Sequence, residues 1–208
     1  MTILNSKLPI PQELIDKSRQ FAKDSVSTNL SAYARRGQSN VQAIERQIME
    51  GKVGEEMSRS QLISVLPKLS LVDFNIYEKK DKSWDPDLKD ELSKTRIAVK
   101  SQNYESAQYY HESWVFQFND GRQFDCDTGI FGKDIDPNHY VCMVLLNMPK
   151  KVAQIRACVK VQWLRDNNMF QPMALSKFSS TNNKLAVYYD HPTYKSLSHF
   201  PTDELWQL

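Results

Sequence analysis

Apolar residues recur at helical intervals through the first third of the chain and at strand-like intervals through most of the rest. Pro11-Gln12-Glu13-Leu14-Ile15 opens a helical segment, with proline in the first turn where its missing N–H is tolerated, and the pattern runs to about Ser25. From Asn40 to about Leu66, the residues Val41, Ile44, Ile48, Val53, Met57, Leu62 and Val65 keep mostly helical spacing. Gly51 and Gly54 interrupt that segment. Each glycine costs a helix about 1 kcal/mol relative to alanine, so a break or a close backbone approach is the expected reason for them. Glu55 stands beside that approach.

Further along, Leu71-Val72-Asp73-Phe74-Asn75-Ile76-Tyr77 alternates as a half-buried strand does, and Glu78 to Ser83 reads as a charged turn. A second strand begins near Asp87. Arg96 to Ser101 carries the β-branched pair Ile97 and Val99, and Ser113 to Phe118, Tyr140 to Leu146, Lys151 to Val161 and Leu185 to Tyr189 read as further strands. The short connections between the first strands predict antiparallel neighbours. Tyr194 to Leu208 is a polar-aromatic tail with no assigned structure. This order predicts an α/β (α+β) fold with a mixed sheet flanked by helices, in one domain over 1–208: N-terminal helices to about 68, a sheet core over about 70–190, then the tail.

Composition adds bounds. The chain has 208 residues, is 40% hydrophobic and 25% charged, and carries a net charge of +2, so any surface for a polyanion must be local. Arg35 with Arg36, Lys79, Lys80 and Lys82, and Lys150 with Lys151 are the candidates, although such pairs are more often ordinary solvated surface. Cys126, Cys142 and Cys158 are widely spaced, with no CxxC pair and no secretory signal, which predicts a reduced, cytoplasmic setting. Cys142 and Cys158 lie in apolar runs and read as small core residues. No apolar run approaches the roughly 20 residues of a membrane span, so a soluble protein is expected. His111, His139, His191 and His199 are too scattered for a zinc pattern. His111 and His139 remain as accessory acids, against the commoner surface role. Asp125-Cys126-Asp127 places two carboxylates on one strand face, a weak metal pair.

The stretch richest in chemistry is Trp84-Asp85-Pro86-Asp87-Leu88, followed by Arg96-Ile97-Ala98-Val99-Lys100-Ser101-Gln102, with Gly51-Lys52-Val53-Gly54-Glu55-Glu56 upstream. A Pro-Asp pair at the start of one strand, a lysine in the next and an acid from a preceding helix resemble the PD-(D/E)XK nuclease superfamily, over roughly residues 50 to 118. The resemblance implies a restriction-endonuclease-like core with the Glu55 helix packed on its sheet. It also implies a Mg²⁺-dependent DNA endonuclease, with Mn²⁺ as a substitute, and a bacterial, phage or mobile-element setting. Asp87 is then the first metal ligand, and Asp85, two residues away on the same side, a second candidate that also reads as a turn residue before Pro86. Lys100 would position or help deprotonate the attacking water, or else is a polar-face strand residue.

Ala98 departs from the pattern, because an acid or amide usually stands two residues before the lysine. Either the ligand has moved or the site is inactive. Period-two geometry puts Ala98, Lys100 and Gln102 on one face, so Gln102 is a candidate for contacting water or phosphate. Glu55 is the favoured replacement acid, with Glu56 as the alternative and a solvated helix face as the plain reading of both. The Val99 carbonyl is a further candidate ligand. Two DNA strands need two cuts, which suggests a homodimer. Tyr104, Tyr109, Tyr110, Trp114 and Phe116 read mainly as core, with base stacking as the functional alternative. Competing expectations are a nucleic-acid-binding protein on a degenerate nuclease fold, motivated by Ala98, and a protein-interaction or inhibitor module.

Overall fold

The computed structural model describes residues 4–34, 39–77, 86–117, 136–173 and 184–208. Strand β1 (Leu8–Pro9) leads into α1 (Gln12–Ala34), whose first turn closes when Ile15 N–H donates to the Pro11 carbonyl. This helix starts where expected and continues about two turns further. Helix α2 (Val41–Leu62) is capped by Asn40, whose side chain accepts from the Ala43 N–H at 3.0 Å. It runs through both glycines unbroken. Of the two expected reasons for the glycines, close approach holds at Gly54: a Cβ there would lie 1.9 Å from Ser101 Oγ and 3.1 Å from Ser101 Cβ. Gly51 faces open space.

Strands β2 (Leu88–Lys89), β3 (Arg96–Asn103), β5 (His139–Asn147) and β6 (Val152–Lys160) join β1 in a five-stranded mixed sheet ordered β1-β6-β5-β3-β2. β2 pairs antiparallel with β3, as the short connection predicts, whereas β3 runs parallel to β5. The β3 strand is followed directly by α3 (Tyr104–Tyr110), then by β4 (Ser113–Gln117). Helix α4 (Val161–Asp166) follows β6, and β7 (Gln171–Pro172) and β8 (Lys184–Tyr188) complete a second, antiparallel sheet ordered β4-β8-β7. Side chains alternate across β3, so Gly54 of α2 meets the Val99 and Ser101 face, while the Lys100 ammonium lies over the Phe116 ring of β4 on the other. The mixed sheet is thereby enclosed between α2 and the second sheet. Trp114 Nε1–H donates to the Val144 carbonyl across that inner layer, and β5 is buried along nearly its whole length. Cys142 and Cys158 face each other in it, fully buried, and burial holds the Cys158 thiol well above its usual range.

One expected strand is absent. Residues 71–77 have no regular structure: Asp73 Oδ1 accepts from both the backbone and the side-chain N–H of Asn75, a local turn that competes with a ladder. Leu71 is left 75% exposed. The expected turn at 78–83 falls outside the described residues. No helix is long and apolar enough to cross a membrane among those described.

The tail at 194–208 docks on β6. Cys158 N–H donates to the Leu205 carbonyl, Gln207 N–H to the Cys158 carbonyl, and a 3₁₀ turn spans Leu197–His199. His191 anchors the start of this tail. Its buried Nδ1 accepts two backbone N–H groups, from Thr193 and Tyr194, both at 3.1 Å, and its ring stacks on Tyr194 at 4.5 Å and against His111 at 4.4 Å. Burial, then the neighbouring His111, lower its pKa from the ordinary 6.5, with Asp190 pulling the other way. The folded group therefore resists a proton that the unfolded group accepts, so its contribution to stability is complete above pH 6.5 and is lost as pH falls through the folded value. Thermal unfolding followed from about pH 8 to 5 should show this loss, and His191→Asn, which keeps an acceptor near Nδ1, should flatten it. An undiminished slope in that variant would place the acid sensitivity elsewhere.

Candidate active site

The hairpin carrying Asp87 is built by Asp90. Its Oδ2 accepts from the Ser93 N–H at 2.7 Å and the Ser93 hydroxyl at 2.9 Å, and its Oδ1 from the Lys68 N–H at 3.0 Å. Desolvation opposes the charge on this carboxylate, but hydrogen bonds from Ser93, Lys68 and Leu92 outweigh it and hold its pKa below the usual range. This turn fixes the register in which Leu88 faces Ile97 and Lys89 faces Arg96. One residue further, the same register sets Asp87 opposite Ala98.

Alternate residues of β3 address opposite edges. Arg96 N–H donates to the Asn138 carbonyl beside β5, so the main-chain groups of Ile97, Val99 and Ser101 point away from β5 toward the β2 side. β2 covers only the first part of that edge. Where it ends, Asp87 takes over: its Oδ2 accepts from the Val99 N–H at 2.7 Å. The Val99 carbonyl points to the same edge. Asp87 thus sits at the open edge of β3, while Ala98 and Lys100 lie on the face of that strand opposite the one α2 meets.

Glu55 comes from α2. It is four residues before Arg59, so the two share a helix face, and Arg59 Nε–H donates to the Ser70 carbonyl, beside β2. Glu55 is only 8% exposed, which removes the solvated-face reading for it. It pairs with Lys52 at 2.7 Å, and the Lys52 ammonium lies within 5.3 Å of the Phe21 ring. Glu56, more exposed, pairs with Arg59 at 3.5 Å. Sequence reasoning passed over Lys52. The i to i+3 spacing of Lys52 and Glu55 was the available signal.

Gln102 is engaged with the main chain. Its Nε2 donates to the His111 carbonyl at 3.1 Å and its Oε1 accepts from the Ser113 N–H at 2.7 Å, so it joins β3 to the start of β4. Asp85, Cys126 and the pair Asp125 and Asp127 lie outside the described residues, as do Arg35, Arg36, Lys79, Lys80 and Lys82. Ala98 is fully buried. The aromatic stretch divides: Trp114 and Phe116 are core, whereas Tyr104, Tyr109 and Tyr110 of α3 are exposed.

No family model matches the chain, and neither a curated protein nor a solved structure does.

Among the described residues no three His, Cys, Asp or Glu side chains gather as a metal cluster. The donors at the open edge of β3 are oxygens, the Asp87 carboxylate, with one oxygen engaged by an N–H, and the Val99 carbonyl on the same edge, while Glu55 on α2 is paired with Lys52. Mg²⁺ needs only one or two carboxylates with a carbonyl and several waters, so the set is chemically suited to that ion.

Proposed function

We propose that the chain is a Mg²⁺-dependent DNA endonuclease on a restriction-endonuclease-like core. The observation that carries this reading is the bond from the Val99 N–H to the Asp87 carboxylate, which holds that acid at the open edge of the strand that carries Lys100. Asp87, Glu55 and the Val99 carbonyl would hold the cation. When bound, it would supply charge neutralisation at the scissile phosphate and a more acidic water.

The chain's own groups do the rest. Lys100, half-buried against Phe116, presents an ammonium whose attraction for a phosphate oxygen is strengthened by reduced solvation, and which stabilises charge as it develops. Asp87 fixes the open edge of β3 through Val99, so that edge and Lys100 keep one spacing. Lys52 balances the charge of Glu55. Gln102 positions the end of β3 and needs no part in the chemistry. Two copies acting together would cut both strands of a duplex.

Incubation of the purified protein with supercoiled plasmid, linear duplex and single-stranded DNA in Mg²⁺, Mn²⁺ or EDTA tests the reading. Nicking or cutting confined to the metal-containing samples is expected. The burial of Ala98, where an acid would otherwise stand, favours a second reading, a nucleic-acid binder that does not cleave. Salt-dependent binding with intact DNA in every sample would select it over the first.

A further inference from the structure

A cavity of about 250 Å³ lies where α2, the end of β3, the start of α3 and the end of β5 meet. That is the carboxyl end of the parallel pair β3 and β5, the side of a parallel sheet on which crevices form. Its polar wall is Glu50 and Asn103. Asn103 accepts the Ser106 N–H at 2.7 Å through Oδ1, and donates from Nδ2 to both Glu50 oxygens, at 3.1 and 3.3 Å. Glu50 is 8% exposed, and its two oxygens share the single Asn103 amide. Burial raises its pKa, against the pull of the Asn103 amide and Arg46, with Glu105 adding to the rise. A carboxyl short of donors in this way gains most from a ligand that brings N–H groups.

The remaining walls narrow the ligand's shape. Met49, Met148 and the half-exposed ring of Tyr104 offer flat, polarisable surface, and the cavity is smaller than the roughly 300 Å³ at which drug-sized sites begin. Arg46 on the rim disfavours a cationic amine and favours a neutral heterocycle tied to a phosphate. The pocket also adjoins the strand that carries Lys100. Three residues of β-rise, about 10 Å along the strand, separate Lys100 from Asn103, whose side chains lie on opposite faces of it.

The geometry points to a pocket for one unpaired nucleobase bearing an exocyclic amino group, held by Glu50 and stacked on Tyr104. This deepens the nuclease reading and rests on it for the source of the base, a displaced or single-stranded nucleotide beside the scissile phosphate. Cytosine meets the requirement through its 4-amino group, whereas uracil carries a 4-oxo oxygen in that place and offers only its ring N3–H.

Binding of fluorescent oligo-dC and oligo-dU, and of dCMP and dUMP, is measured in EDTA for the wild type, Glu50→Gln and Tyr104→Ala. Plasmid cleavage in Mg²⁺ is measured in parallel. Wild type should prefer oligo-dC about tenfold, as one good polar contact to a base supplies. Glu50→Gln, which adds a donor, should erase or reverse the preference. Tyr104→Ala, an exposed change that leaves the core intact, should weaken both oligonucleotides. Equal wild-type affinities, or an unchanged preference in Glu50→Gln, overturn the pocket. Cleavage without base preference overturns the pocket alone, and preference without cleavage overturns the nuclease while the pocket stands. Preference shown only by the mononucleotides keeps the base chemistry and overturns the substrate strand as its source.

Discussion

Lys100→Ala should reduce metal-dependent cleavage at least about a hundredfold while leaving the melting temperature within a few degrees of wild type. The stability half follows from partial exposure: Lys100 is half-buried with its ammonium 5.5 Å from the Phe116 ring, so truncation does not empty a fully buried site. The activity half follows from position. Asp87 fixes the neighbouring main chain through the Val99 N–H, so the loss of one ammonium leaves the edge in place and deletes the charge that meets the phosphate. Lys100→Arg keeps charge but brings a broader, planar head with more donors, and should restore only a small part of the rate. Full activity in Lys100→Ala would remove the basis of the nuclease reading.

Gly54→Val should destabilise the protein by about 3 kcal/mol or more, although helix propensity alone favours replacing glycine. A Cβ at Gly54 meets Ser101 Oγ at 1.9 Å and Ser101 Cβ at 3.1 Å. The hydroxyl can rotate away, but the Cβ is fixed by the strand, and valine adds two further methyls against Val99 and Ser101. Gly54→Ala should cost less, because about 1 kcal/mol of propensity offsets the tighter contact. Combining Gly54→Ala with Ser101→Gly removes the obstruction and should recover most of the loss, which urea unfolding of all four species would read as a positive coupling. The same substitutions should lower cleavage more than stability explains, since α2 carries Glu55 and would move as a unit. Additive effects in the double variant would rule out the Gly54 to Ser101 contact as the cause.

The parts of the fold legible in the sequence were those where local pattern and tertiary packing agree. The Ile97 and Val99 run, the Tyr140 to Leu146 run and the Asn40-capped helix became β3, β5 and α2 close to their expected limits. The glycines of α2 announced a close approach, and Gly54 makes one. Pairing was less legible. β3 and β5 associate in parallel across a wide separation, a choice set by the whole sheet rather than by either strand. The 71–77 segment alternates as a strand does, yet Asp73 offers Asn75 a nearer partner than any ladder. Helix α3 was missed because it buries none of its residues and rests on the Asn103 cap, which leaves no apolar stripe to detect.

The candidate site was legible in its residue types more than in their commitments. The spacing brought Asp87 to the strand of Lys100, and its bond there goes to the Val99 N–H. That Gln102 is spent on His111 and Ser113, and that Glu55 is already paired with Lys52, depends on neighbours no short motif specifies.

The parallel pairing of β3 also orders assembly in time. β5 and β6 meet across the tight turn after Asn147, while β3 must wait for the chain between Asn103 and His139 to close a long loop, an entropic cost that slows such pairings. Lys151, in that turn, holds a left-handed φ of 49° that glycine adopts without strain. Lys151→Gly should therefore speed refolding, whereas Ser101→Ala should act mainly on the unfolding arm of a denaturant chevron. On this timetable the antiparallel β5–β6 core forms first, and the edge of β3 that Asp87 closes takes its place last.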